Sequence, residues 1–346
     1  INKINLHEFM GFGYFWNSLS NNGKMGKLLC SADRKEKTHI LGAFTFINNK
    51  PYNKFATGLV PGDTIILELF EPLDVYNLSQ LNVSKVIHAY KNVGPSQGNP
   101  GASGSCNNNI RCPIGQDWCI ESRAVVLITD DNGAFCSGAM INNVNNDLTP
   151  YVLTADHCIN GADVNTWTFW FRYWAVNCAF STIEASPIIG IVGATLRANN
   201  AASDFALLEL THQPPSGVGA YYAGWDNTGN FPNNTTGIHH PSGDLMKIHL
   251  DNDPAISNQN QLNWSDGTTS QINTHWQTFI DNGTMEGGSS GSPAFDGDHR
   301  IVGQLHGGHP GCGSDGLAFY GRFDVSWDTG GTAATQLQNW LDPGNT

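Results

Sequence analysis

The stretch Gly287-Gly288-Ser289-Ser290-Gly291-Ser292-Pro293 sets a serine between glycines, ahead of Gly-Ser-Pro. Glycines let the backbone bend sharply and let a carbonyl approach main-chain N–H groups, which suits Ser290 as a protruding nucleophile. A hydroxyl attacks a peptide carbonyl only if a base takes its proton and donors hold the resulting oxyanion. His157 is the candidate base, in Thr154-Ala155-Asp156-His157-Cys158 directly after the apolar run Tyr151-Val152-Leu153. Asp204, in Ser203-Asp204-Phe205-Ala206-Leu207-Leu208, is the candidate carboxylate; a buried acid in so apolar a run needs a partner such as an imidazole. Asp156 is set aside because adjacent residues on a strand or turn point in different directions. The N–H groups of Gly288 and Ser290 would form the oxyanion hole. The expected chemistry is acyl transfer to a serine, and the expected reaction is hydrolysis of peptide bonds.

Such residues must be held on a rigid frame, and the chain reads as many short strands. Before residue 93 these are Thr38–Ile47, Thr64–Phe70 and Val83–Tyr90, with a turn at Val60-Pro61-Gly62-Asp63. They predict a small β-sandwich over 1–92, followed by a Gly/Pro/Ser-rich joint over 93–105. Beyond it, over 106–346, strands are expected at Ala124–Thr129, Phe135–Ile141, Tyr151–Thr154, Thr166–Trp174, Ala206–Leu210, Met246–Leu250, Thr274–Phe279, Ser292–Phe295 and Arg300–His306. Their spacing predicts an all-β fold of antiparallel barrels. One helix is expected, Thr332–Leu341, with Ala333, Leu337, Trp340 and Leu341 on one face before Asp342-Pro343.

Composition narrows the partners. Of 346 residues, 1–100 carry ten Lys/Arg and seven Asp/Glu, whereas 101–346 carry seven and twenty-three. So acidic a larger part argues against a nucleic-acid partner. No apolar run approaches the roughly 18 residues needed to span a membrane. Eight cysteines suit four disulfides and an exported protein. No metal or organic cofactor is required by the chemistry, and peptide or protein substrates of a monomer are expected. Asp251-Asn252-Asp253 reads as a solvated turn rather than a calcium loop.

Several segments together resemble the bacterial lysyl endopeptidases, a branch of the trypsin-like superfamily. They are Gly101–Cys106, Tyr151–Cys158, Ser203–Leu210, Ala223–Asp226, Ile238–Pro241, Gly288–Pro293 and Val302–Gly308, and the similarity runs over about 101–343. The order His, Asp, Ser, spaced 47 and 86 residues apart, is also that of chymotrypsin-type proteases. The resemblance implies a chymotrypsin-like double barrel with His157, Asp204 and Ser290 in the cleft between the barrels. It implies the disulfides Cys106–Cys312, Cys112–Cys178 and Cys136–Cys158, and a substrate groove flanked by Trp264 and His306 and followed by Gly307 and Gly308. The region near Val60–Pro72 is similar to that family's pro-region, so 1–92 is expected to contact the protease domain as an inhibitory or accessory domain.

The sequence departs from that family in two ways. The lysine-reading aspartate, two residues before a Tyr-Gly-Arg triplet, is replaced by Ala318, and trypsin's own pocket position holds Thr284. Glu286 and Asp315 remain as acids able to attract a cation. Without the main buried carboxylate, small or uncharged residues and a looser basic preference are both open for the scissile position. The second departure leaves Cys30 and Cys119 over, and these are expected to pair and tether the N-terminal domain. Ser289 stands where many zymogens place an aspartate for a new amino terminus, so that switch is not expected. A catalytically silent, peptide-binding pseudo-protease is the alternative from another class.

Overall fold

The computed structural model describes residues 2–7, 11–18, 27–31, 40–44, 54–57, 64–70, 80–88 and 100–345, apart from 131–132, 160, 180, 184 and 186–188. The chain forms two compact units, Ile1–Ser96 and Gln97–Thr346. The first contains a four-stranded antiparallel sheet, in the order Asn2–His7, Thr64–Phe70, Lys27–Ser31, Ile40–Phe44, and a three-stranded one, Lys54–Ala56, Gly11–Ser18, Gln80–His88. The turn expected at Val60–Asp63 lies outside the described residues.

The second unit is all-β and built on two antiparallel sheets, the two-barrel architecture. The seven-stranded sheet runs Ile189–Val192, Thr168–Phe171, Val125–Asp130, Gly133–Ile141, Tyr151–Ala155, Phe205–Leu210, Ala194–Asn200. Its central strands read as continuous apolar runs rather than alternations because both faces are covered; Val125, Val126, Leu127, Ile128, Val152, Leu207 and Leu208 are all buried. The eight-stranded sheet centres on His275–Phe279, Leu317–Arg322, Ile301–Gly308, Pro293–Phe295, Thr235–His239 and Lys247–Asp251. One continuous apolar core joins the two, since Ile238, Ile248, Phe295 and Ile301 pack with Met140, Val152 and Phe205.

The expected helix Thr332–Leu341 is corrected to a single turn, Gln338–Leu341. The Leu337 N–H, which a continuous helix would give to Ala333, donates to Ser326 O. The Ala333 carbonyl instead accepts from Trp340 Nε1 at 2.6 Å. A tertiary partner on the unforeseen helix Phe323–Asp328 thus takes the place of the helical bond.

Candidate active site

His157 follows the strand Tyr151–Ala155 in a one-turn 3₁₀ segment, Asp156–Ile159. The next residue, Cys158, is bonded to Cys136 on the neighbouring strand. That strand end and this staple fix where the ring begins. Asp204 precedes the adjacent strand Phe205–Leu210 and is held at φ +56°, a left-handed conformation unusual for a residue with a side chain. The turn is pinned from both sides. Asp204 O accepts from Asp156 N–H, and Ser203 O accepts from Gln304 Nε2 at 2.7 Å. Gly321 passes so near that a Cβ there would lie 1.8 Å from Ser203 O.

The result is a close imidazole–carboxylate pair. His157 Nδ1 lies 2.8 Å from Asp204 Oδ2, and the His157 backbone N–H donates to Oδ1 at 2.9 Å. Burial opposes charging the ring, but the hydrogen bond and charge of Asp204 outweigh it and raise the His157 pKa above its ordinary value. Burial also pushes the Asp204 carboxyl up, against the pull of His157. The two shifts favour opposite charge states of the pair; the geometry, with two N–H groups aimed at one carboxylate, supports the ionised aspartate. Asp156 is turned away and accepts from Asn199 Nδ2 at 2.6 Å.

Three rings are stacked over this pair. Trp264 lies on His306 with centroids 3.5 Å apart, and His306 lies on His157 at 5.2 Å. Burial, together with the charges of His275 and His157, pushes His306 down to about 2, so it stays neutral beside the ring that must titrate. His275 Nε2 meets His306 Nδ1 at 2.9 Å and fixes its orientation. His157, Asp204 and His306 offer ligand atoms within 4.8 Å of one another, as do Asp251, Asp253 and Asp281. Hydrogen bonding within the protein accounts for both groupings.

Ser290 sits on the other sheet, and its loop leaves no room for side chains at two points. Gly288 has φ +91° and Gly291 +77°. A Cβ on Gly291 would fall 2.2 Å from Thr154 Oγ1 and 2.5 Å from Ser137 O. The buried Ser137, on the first sheet, holds this loop by two bonds and the His240 backbone by a third. Its N–H donates to Ser290 O, its Oγ donates to Gly288 O, and the same Oγ accepts from His240 N–H. Among the described residues, the N–H groups of Gly288 and Ser290 have no acceptor. They are free to hold an oxyanion.

His157 and Ser290 line one cleft with Trp264, His306, Gly307, Gly308 and Glu286. Asp266, Met285 and Phe319 line it too and were missed by sequence reasoning, as was Ser137; no residue pattern marks them. Thr284 and Ala318 are buried behind the wall. Glu286 is engaged by Gly104 N–H, Asn107 Nδ2 and Ser242 Oγ, and Asp315 pairs with His309 at 2.8 Å. Beneath the loop runs a buried polar chain: Ser289 Oγ to His239 Nδ1 (2.7 Å), His239 Nε2 to His249 Nδ1 (3.1 Å), His249 Nε2 to Tyr320 OH (2.6 Å).

Disulfides join Cys106–Cys312, Cys112–Cys178 and Cys136–Cys158. The expected bond to Cys30 rests on a side chain outside the described residues; Cys119 is an exposed free thiol. Its Sγ, at the end of the 3₁₀ segment Pro113–Trp118, faces the Gln116 carbonyl at 2.8 Å.

A family model described as lysyl endopeptidase, C-terminal domain, matches residues 100–321. The lysyl endopeptidase of Pseudomonas aeruginosa is 32% identical over 288 residues, 77% of this chain and 59% of that protein. The chain therefore spans less than two thirds of that relative's length. Among solved structures, the active form of a protease from M. tuberculosis aligns at TM-score 0.42 and 16% identity, over 62% of this chain and 84% of that one. The MamO protease domain from Magnetospirillum magneticum aligns at 0.43 and 13%, over 60% and 96%. Scores this low add nothing to the fold seen directly. The family match spans more than half the chain and takes in His157, Asp204 and Ser290, and the chain belongs to the lysyl endopeptidase C-terminal domain family.

Proposed function

We propose that this protein is a serine endopeptidase. Ser290 Oγ attacks the peptide carbonyl while His157 takes its proton. Asp204 orients the ring and stabilises its cation, and the Gly288 and Ser290 N–H groups receive the oxyanion. His157 then returns the proton to the departing amine, and water hydrolyses the acyl-enzyme by the same route. The observation that carries this reading is the 2.8 Å contact of His157 Nδ1 with Asp204, in a cleft that His157 shares with Ser290. Three disulfides suit the oxidising surroundings of an exported protein.

Strict lysine preference is not part of the proposal. Ala318 supplies no carboxylate, Thr284 is buried with its hydroxyl on Gly311 O, and Glu286 is already held by three donors. Met285 and Phe319 give the wall an apolar character. A fluorophosphonate probe tests the reaction: the parent should be labelled and Ser290→Ala should not. An unlabelled parent would mean a peptide binder rather than an enzyme. Digestion of a peptide library, read by mass spectrometry, tests the pocket, and cleavage confined to lysyl bonds would refute the relaxed preference.

A further inference from the structure

Residues 101–346 contain only seven basic side chains against twenty-three acidic ones. Four of the seven are paired: Arg197 with Glu209, Lys247 with Asp244, Arg300 with Asp226, Asp296 and Asp298, and Arg322 with Asp324. The other three, Arg111, Arg123 and Arg172, have no acidic partner among the described residues. All three line one cavity, together with Trp174 and the exposed thiol of Cys119.

In so acidic a unit, a chance arrangement would leave few cations without a carboxylate, and would scatter them. Here like charges are gathered instead. Arg111 and Arg172 both lie over the Trp174 ring, each with its guanidinium carbon 5.6 Å from the centroid. An aromatic face steadies a guanidinium without neutralising it, leaving the N–H fork directed at a ligand. Arg172 is held there at φ +58°, a left-handed conformation unfavourable for a residue with a Cβ. The neighbouring backbone is firmly anchored: Cys112 is bonded to Cys178, and Tyr173 O accepts from Met246 N–H. None of these residues lines the cleft of His157 and Ser290.

We propose that this cavity is a binding site for a multiply charged oxyanion of the phosphate or sulfate class, received by Arg111, Arg123 and Arg172. Three planar forks can take such a group by paired N–H···O bonds, as arginine commonly does. The site is separate from the peptidase chemistry and stands or falls without it.

Cys119 gives a direct readout, because its thiol lines the same cavity. The full-length protein is treated with the dianionic disulfide 5,5′-dithiobis(2-nitrobenzoate) and, separately, with neutral 4,4′-dithiodipyridine. In either reaction the Cys119 thiolate displaces one aryl thiolate and keeps the other aryl half as a mixed disulfide. Peptide mass spectrometry restricts the rate to Cys119, leaving Cys30 out of the reading. Relative to a free cysteine standard, the anionic reagent should be favoured by about 10-fold or more, as expected for a cleft of one charge sign. Inorganic pyrophosphate should suppress that advantage if free anions are taken. Dextran sulfate should do so at lower concentration if polymer-borne esters are preferred. Arg111→Gln with Arg172→Gln should abolish the advantage while leaving the neutral reagent's rate within about 2-fold; should that variant not fold, the parent's rates and their protection decide the matter alone. Equal relative rates in the parent, unaffected by either anion, would overturn the proposal.

Discussion

The two sheets of the second unit supply different halves of the site and are built from different materials. The sheet that presents His157 and Asp204 rests on an apolar interior of Val, Ile, Leu, Met and Phe, with a few buried hydroxyls such as Ser137 and Thr154 and with His157 and Asp204 at strand ends. The sheet that presents Ser290 is threaded with buried imidazoles: His239, His240, His249, His275 and His306, with Tyr320 among them. Apolar packing fixes a frame without regard to pH. A hydrogen-bonded imidazole network fixes one equally well only while every ring stays neutral. The proposed base is therefore mounted on the pH-insensitive side and the proposed nucleophile on the titratable one.

Removing either partner across the boundary should have the largest effect. Ser290→Ala and His157→Ala should each lower kcat/KM by roughly 10⁴–10⁶-fold, measured on a peptide substrate, with folding unchanged by circular dichroism. In the parent, kcat/KM should rise with pH through a value above the ordinary histidine pKa, because His157 must be neutral to accept the proton and its pKa is raised. A profile already flat below pH 6 would contradict the geometry around Asp204.

Next comes acid sensitivity, which tests the contrast itself. Burial pushes His240 and His249 down to about 4, His275 to about 3 and His306 to about 2, and holds His239 well below its ordinary value. Their folded values lie below the unfolded one, so between about pH 6.5 and 4 the unfolded chain binds more protons than the native one. Stability is therefore lost as pH falls through that window, by on the order of 1 kcal/mol per ring per pH unit. The one histidine raised among the described residues, His157, contributes in the opposite sense: its stabilisation is full below the unfolded pKa and fades as pH rises through the folded one. Hydrogen exchange at pH 7 and pH 5 should show the strands around His239, His249 and His275 deprotected first. Uniform loss over both sheets would erase the distinction.

What could be read beforehand follows the same division. That His157 meets Asp204 and shares a cleft with Ser290 was legible from residue types in a fixed chain order, and the long apolar strands carried the first sheet. Tyr151–Ala155 and Phe205–Leu210 each came within one residue of expectation. On the second sheet, Thr235–His239 escaped because its Gly and His break up a short run with little apolar signal, and Leu317–Arg322 escaped although its Phe and Tyr favour a strand, because the Gly-rich stretch before it reads as a loop. Ser137 was invisible for a related reason. A hydroxyl in an apolar strand shows nothing of the loop 150 residues away that it holds.

A smaller effect is expected where the sheets touch. Gly291→Ala adds a methyl carbon that would meet Thr154, Ser137 and Ala155 N, all from the first sheet, at a backbone angle that disfavours any Cβ. Overpacking plus strain should cost about 2–5 kcal/mol in denaturant unfolding, and displacement of Ser290 should reduce kcat as well. Gly287→Ala, where a Cβ would meet nothing within 4 Å, is the control and should be near neutral.

The mildest test stays within the polar sheet. Ser289 is fully buried and its Oγ both accepts from Glu286 N–H at 3.1 Å and meets His239 Nδ1 at 2.7 Å. Ser289→Ala removes that junction and leaves an N–H and an imidazole nitrogen without a partner, at a cost of about 1–3 kcal/mol. Because the loop is still held by Ser137, kcat should fall only several-fold; with the hydroxyl gone His239 gains a proton more readily, its folded pKa moves toward the unfolded one, and the stability deficit should narrow as pH drops. Ser289→Thr retains the hydroxyl and should recover part of the stability if the cavity accepts one methyl. If Ser289→Ala unfolds at the same denaturant concentration as the parent at both pH 7 and pH 5, the imidazole chain is a passive filler. The nucleophile loop would then depend on the apolar sheet alone.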